Sequence, residues 1–379
     1  MNTKKVVLGI VLGCFGLIAL VAIGGYFVAR SVLGPVFGGG RGGAHLGAAR
    51  VVSGEGVLCG SPFLSDASLG SVTDIKPGKV DAGAGVVAAV AGEEGAAFVT
   101  GDGSVVSSVS FGDRFDHVEV VDVEGDGVCE FLNRGSWGSD PALLAHDGRV
   151  LWSYRAPDGA DDTCAGDVDG DGRLEFALGC NGGGGVHLIG ADGRQRWRQS
   201  GGNVWHVEMA DVDGSGALRI LHSSASGDLT VRDGRGNILH QTNLRPVYLS
   251  HFAVCAWPSP PPAVLAPGGG IIGVYDASGT LRTSLKAPDA TDMADIWATP
   301  VALRAGAPAY LAATLVFSEA SKSVLYVYDS AGSLVYQEVL PGRCEAVAAL
   351  PLGTGAEALL VGGEGTVTKY AWTGGAAAQ

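Results

Sequence analysis

The 379-residue chain carries 39 acidic residues against 25 Lys and Arg, a formal net charge of −14. That balance excludes nucleic acid as a main partner, because phosphate recognition draws on clustered Lys and Arg. With 46% hydrophobic and only 17% charged residues it is no disordered polyelectrolyte, and its 62 glycines break short Val/Ala/Leu runs into many short strands and turns.

The chain opens on Lys4 and Lys5, followed by an uncharged run from Val6 to Val28. About 20 apolar residues span a bilayer core, whereas the apolar region of a cleaved signal peptide is about 7–15 residues long. The stretch "IALVAIGGYFVAR" offers a poor cleavage site. Cys14 follows "VLG", yet the sequence stays uncharged beyond it, where a lipoprotein would turn polar. Residues 1–30 are therefore expected to be an uncleaved transmembrane signal anchor. The two lysines place the N-terminus in the cytoplasm, with Arg30 weakening the bias, and the rest in the periplasm or outside the cell. Residues 31–47, with "GPVFGGGRGGAHLG" from Gly34, read as a flexible linker.

Beyond the linker the sequence repeats. "VVDVEGDGVCEFL" from Val120, "AGDVDGDGRLEFAL" from Ala165 and "MADVDGSGALRIL" from Met209 place Asp122, Asp167 and Asp211 at spacings of 45 and 44. Apolar strands joined by a tight turn recur at Asp102-Gly103, Asp147-Gly148 and Asp192-Gly193, and in looser form at Asp233, Asp276 and Asp329. Asp-Gly between apolar runs is a strong hairpin signal. A period near 45 with four strands per unit predicts an all-β fold, a β-propeller. The units are 71–110, 116–155, 161–199, 205–243, 250–286, 293–339 and 343–373, with a tail from 374. The seventh unit runs out after three strands, so residues 48–60 are expected to supply its fourth and close the ring. Seven blades is the reading; six or eight are the alternatives, because units five to seven are degenerate.

The run D-x-D-G-D-G-x-x-acid inside a repeat of this length resembles the FG-GAP/VCBS repeats of integrin-α-like propellers. The architecture covers 71–373, but only units two to four carry the motif. The resemblance implies Ca²⁺ in the loops and a role in adhesion or protein binding. The hairpins "LLAHDGRVLWSY" and "LIGADGRQRWRQ" resemble PQQ-like propeller repeats more weakly. Ca²⁺ takes six to eight oxygen ligands, and alternating acids with glycines let a short loop wrap it. In unit three the donors would be the side chains of Asp167, Asp169, Asp171 and Glu175 with the Arg173 carbonyl. In unit two they would be Asp122, Glu124, Asp126 and Glu130 with the Val128 carbonyl. Unit four has Asp211, Asp213 and Ser215, but Arg219 stands in place of the closing acid and could satisfy the aspartates without metal. The alternative for all three is an acidic turn whose carboxylates accept backbone N–H bonds.

Five residues before each motif aspartate stand His117, Asp162 and His206, and the series continues with His251 and Asp295. Asp116, Asp161, Trp205, Asp292 and Trp297 are near them in sequence. These positions open the first strand of each blade, which lines the channel of a propeller. They could form a polar ring that holds a ligand or metal, or simply be solvated loop residues. Six cysteines lie outside the anchor: Cys59, Cys129, Cys164, Cys180, Cys255 and Cys344. Cys164 and Cys180 could be a cross-strand disulfide or two buried thiols. No catalytic residue is nominated. The function expected is a membrane-anchored extracytoplasmic module that binds or scaffolds a protein or glycan partner. The alternative is a propeller enzyme, quinoprotein-like or carbohydrate-active, using the channel mouth.

Overall fold

The computed structural model describes residues 50–51, 56–78, 85–112, 115–135, 140–156 and 159–374. The expected anchor, the linker and the C-terminal end of the tail lie outside these residues. Among the described residues no helix is long and apolar enough to cross a membrane.

Seven antiparallel sheets follow one another around a ring. Blade one is Val72–Pro77, Val86–Gly92, Gly95–Thr100 and Val105–Ser110. Blade two is Val118–Val121, Glu130–Asn133, Ala142–Leu144 and Val150–Ser153. Blade three is Ala160–Gly166, Glu175–Cys180, Gly185–Ile189 and Gln195–Gln199. Blade four is Val207–Ala210, Arg219–Ser223, Asp228–Arg232 and Ile238–Asn243. Blade five is Ala253–Cys255, Ala263–Gly268, Ile271–Tyr275 and Leu281–Lys286, and blade six is Asp295–Val301, Tyr310–Phe317, Lys322–Tyr328 and Leu334–Pro341. Blade seven takes Val347–Pro351, Glu357–Gly363 and Thr366–Gly374 from the C-terminal end and Gly56–Ser65 from the N-terminal side. The fold is thus an all-β propeller of seven blades, not six or eight.

The seam pairs Val57 with Thr373, Leu58 with Trp372 and Ser65 with Thr366. Arg50–Val51, expected within the closing strand, instead pairs with Gln337 and Tyr336 at the outer edge of blade six. Four residues separate it from Gly56, so the chain can leave one blade for the next.

There is no single central core. Central strands such as Glu175–Cys180 and Gly185–Ile189 are buried throughout, because both faces of each blade are covered by neighbours. The apolar clusters sit between blades. Phe98, Phe111 and Phe131 join blades one and two, and Phe63, Leu69, Val72 and Leu360 join seven to one. Outermost strands such as Val105–Ser110 are largely exposed.

The turns between third and fourth strands share one geometry. In blade three the Gly193 N–H donates to the Gly190 carbonyl, the Gly190 N–H to the Arg194 carbonyl, and the Arg194 N–H to Asp192 Oδ1. Gly193 has φ of +74°, which L side chains rarely adopt. A Cβ there would also come within 2.7 Å of Trp152 of blade two, whose indole Nε1 donates to the Ala191 carbonyl at 3.1 Å. Trp197 repeats the contact one blade on, donating to the Gly234 carbonyl at 2.9 Å.

The cysteine alternatives resolve in favour of thiols. Cys164 stands opposite Ala177 and Cys180 opposite Ala160, so they do not face each other across the strands, and all six are free. All but Cys59 are buried.

Leu58 is 4% exposed and packs with Tyr370 and Leu325 between blades six and seven. Leu58→Ala is expected to cost about 2–5 kcal/mol by urea denaturation, the range for a buried leucine in a core. A loss below 0.5 kcal/mol would mean that the seam is not part of the cooperative unit.

Candidate functional site

In each blade the first strand is innermost, and the seven first strands line a central cavity of about 490 Å³. Consecutive residues of a first strand border it, as Asp162, Thr163 and Cys164 do, because the strand presents its edge to the axis. Polar groups at the start of these strands also tie blades together. Val118 N–H donates to Thr73 Oγ1 at 3.1 Å, Val120 N–H to Asp74 Oδ2 at 2.8 Å, and Val207 N–H to Asp162 Oδ2 at 3.0 Å. Ile296 N–H donates to His251 Nδ1 at 3.3 Å. Each contact joins neighbouring blades.

Three of the ring histidines and one ring acid meet here. His206 Nδ1 lies 2.5 Å from Asp162 Oδ2, and its Nε2 lies 3.7 Å from Glu208 Oε1. The imidazole of His206 stacks on that of His251 with centroids 3.8 Å apart, and His251 in turn lies 4.6 Å from Trp297. His117 stands between Glu119 and Glu345, 4.0 Å from each. Glu345 is bound by Arg343, whose Nε donates at 2.6 Å. Asp295 lies on the same tier of blade six but does not line the cavity; Ile296 and Trp297 do.

The histidines carry different charges. Burial works against a charged His206, but Asp162 and Glu208 outweigh it and raise its pKa to about 10. Burial likewise opposes ionisation of Asp162, yet His206 and Arg134 hold its carboxyl below the usual range. His117 is pushed down to about 3 by burial and then by Arg134. His251 falls well below its ordinary value through burial and the neighbouring His206 charge. A neutral His251 fits its use of Nδ1 as an acceptor. Burial raises Glu119 well above its ordinary value, with Asp162, Asp74 and Glu208 adding to the effect. Asp295 rises to about 6 through burial and Glu345.

Glu119, Glu208 and Glu345 were not among the ring residues expected from sequence. A signal for two of them was present: Glu119 follows His117 by two residues, and Glu208 follows His206 by two, which returns each to the same side of its strand.

The acidic loops join first and second strands, and in an antiparallel meander they share one face with the Asp-Gly turns. In blade three Asp167 accepts from the N–H groups of Gly170, Asp171 and Gly172, and Asp171 Oδ1 from Arg173 N–H. Glu175 Oε2 accepts from Val168 N–H at 3.2 Å. Carboxylate oxygens of Asp167, Asp169 and Glu175 come within 4.8 Å of one another; Asp171 is not in this group. In blade two Asp122 accepts from Asp126 and Gly127 N–H, Asp126 from Val128 N–H, and Glu130 from Val123 N–H. Asp122, Glu124, Asp126 and Glu130 do not converge in this way; among the described residues only the blade-three trio does. In blade four Asp211 holds the same turn through Ser215 and Gly216 N–H, and Arg219 fills its centre, with Nε 2.8 Å from Asp213 Oδ2 and Nη2 2.8 Å from Ser215 Oγ.

No protein-family model matches the chain, and no curated protein matches it. Solved structures match in fold. BBS1N, from its complex with ARL6DN soaked with lead, aligns at a TM-score of 0.60 and 14% identity over 87% of this chain and 99% of that one. A catalytically inactive virginiamycin B lyase from Staphylococcus aureus, with quinupristin, aligns at 0.57 and 12% over 83% of this chain and 99% of that one. The Neurospora crassa Pan2 WD40 domain aligns at 0.52 and 12% over 82% and 91%. At such identities the likeness is one of fold alone.

The Asp162–His206 pair sets a pH-dependent contribution. The folded pKa of His206 lies near 10, above its unfolded value of about 6.5. Its contribution is full below about 6.5 and is lost as pH rises through 10. Asp162 is lowered, so its contribution is present above about 3.9 and is lost as pH falls through its folded value. Asp162→Asn should therefore cost roughly 3 kcal/mol or more near pH 6, the scale for breaking a buried pair, and less at pH 10. An NMR titration should show His206 losing its proton near pH 10 in the native chain and several units lower in the variant. A native titration near 6.5 would overturn the assignment.

Proposed function

We propose that this chain is a membrane-anchored extracytoplasmic propeller that binds or scaffolds a protein partner, with structural Ca²⁺ in its acidic loops. The observation that carries the reading is the acidic face. Blades two, three and four are neighbours, and each presents its Asp-rich loop and an Asp-bearing turn on the same side. A rigid face of this kind suits a partner with a complementary basic surface. BBS1N, which shares the fold, is found in complex with ARL6DN. The anchor over Val6–Val28 and the FG-GAP/VCBS kinship are the parts of the reading that rest on sequence pattern.

The donor set of blade three fits Ca²⁺. Asp167, Asp169 and Glu175 would hold the ion by side-chain oxygens, and the ion would offset the repulsion among them. Burial and the three loop aspartates raise the Glu175 pKa, which is the strain a divalent cation would relieve. Blade four is the internal contrast, because its Arg219 brings positive charge to the same loop geometry. Blade two would hold an ion only after its carboxylates close inward.

Two outcomes are expected. Millimolar Ca²⁺ should raise the melting temperature of the propeller, by the equivalent of about 2.7 kcal/mol at a hundredfold excess over Kd. Asp169→Asn with Asp171→Asn should erase that response, and Asp213→Asn should leave it. An unchanged melting curve with Ca²⁺ would reduce the loops to acidic turns. For the partner, cross-linking of the tagged full chain in its native membranes should return one protein reproducibly. Glu124→Lys with Asp192→Lys should abolish its recovery while the variant still unfolds in one cooperative transition; recovery unaffected by the reversal would remove the acidic face from the reading.

A further inference from the structure

We propose that the central cavity binds a small organic cation, an amine or quaternary ammonium compound, with Glu119 and Glu208 as its charge partners and Trp297 as an aromatic wall. The cavity meets the acidic loops only at Asp122 and Leu174, and the binding proposed needs neither Ca²⁺ nor a protein partner. At about 490 Å³ it falls within the roughly 300–1,000 Å³ of small-molecule sites.

Charge selects the ligand class. Six carboxylates line the cavity against Lys76 and Arg134 as permanent cations. Most of the acids are already engaged. Asp162 holds His206 and the Val207 N–H, Asp74 accepts from Ile75 and Val120 N–H, and Glu345 is bound by Arg343. Glu119 and Glu208 are different. They approach only imidazoles, at 4.0 and 3.7 Å, and keep 24% and 34% of their side chains accessible. Asp162 is the nearer partner of His206, with Glu208 at 3.7 Å the second, and an ammonium group entering beside Glu119 would favour its ionised form, which burial and the neighbouring carboxylates otherwise oppose.

A polar atom in the wall also wants a partner. Thr163 Oγ1 is buried with no hydrogen bond, in a residue 1% exposed that lines the cavity, and can accept from an ammonium N–H. Such atoms cost free energy unless a ligand or water satisfies them. Trp297, beside the neutral His251 ring, supplies the apolar side, and a tryptophan face attracts an ammonium group.

A single metal ion fits less well. Among the described residues only Asp167, Asp169 and Glu175 bring three donor atoms within 4.8 Å of one another, and none of these lines the cavity. The cavity donors are spread too widely for one ion and suit a ligand several atoms long.

The test is calorimetric titration of the full chain in detergent with choline, putrescine, 3,3-dimethylbutan-1-ol and ZnCl₂. The alcohol has the shape of choline without its charge. Binding of choline or putrescine, at least tenfold tighter than the alcohol, is expected. Glu119→Gln with Glu208→Gln should weaken that binding at least tenfold, as should Trp297→Leu for choline, while Asp169→Asn should not alter it. If the double variant does not fold, the comparison of choline with the alcohol on the native chain decides. Failure of both amines to bind at 10 mM, equal binding of the alcohol, or unchanged affinity in the glutamine variant would overturn the proposal. Zinc binding that is lost with Glu119 and Glu208, in the absence of amine binding, would overturn it in favour of a metal.

Discussion

Each blade of this ring can bury its two faces only against its neighbours. A sheet that is apolar on both sides has no stable existence alone, and an open stack of seven would leave two such faces in water. Everything else depends on the ring being complete. The closing blade solves the problem with strands from both sides of the chain, Gly56–Ser65 beside Thr366–Gly374. Removing either partner would expose not one strand but the apolar interfaces that blade seven shares with blades six and one.

The same closure explains why charge can be tolerated inside. The first strands converge on an axis too wide to be filled by side chains, so the centre is accessible although it lies deep in the molecule. Groups there feel low polarisability and one another. His206 is charged and His251, in contact with it, is neutral, because only His206 has an acid at 2.5 Å. Identity of the residue thus says little about its charge; the neighbour supplied by the adjacent blade decides it.

Much of the architecture was legible because the repeat is written at two scales. The acid run near Asp122, Asp167 and Asp211 marks the connection between first and second strands, and the Asp-Gly turns mark that between third and fourth. Where the first mark faded, in blades five and six, the spacing of the second still located the unit. The short pairing of Arg50–Val51 with blade six was not legible, since two residues carry no period and the pairing is set by where the chain must cross between blades. The thiols were ambiguous for a related reason: facing strands do not guarantee facing residues, and register places Ala177 opposite Cys164. In the cavity, the series of His and Asp at the blade starts was visible, but Glu345 was not, because blade seven lacks the acid motif that would have aligned it. Asp295 was placed in the ring by spacing; it feels the charges of Glu345 and His206, and the residues of blade six that line the cavity are the three after it, Ile296, Trp297 and Ala298.

The way Arg50–Val51 and Gly56–Ser65 enter the ring gives it a mechanical polarity. Tension drawn from the N-terminal side reaches the short bridge to Gln337 and Tyr336 first, which has only two residue pairs to resist it. Once that yields, the load falls on Gly56, the end of the closing strand paired with Gly374, so the closing strand is the next element to bear it. The molecule would then open first at its seam, the one blade whose four strands come from both sides of the chain. A tether on that side makes blade seven a mechanical fuse.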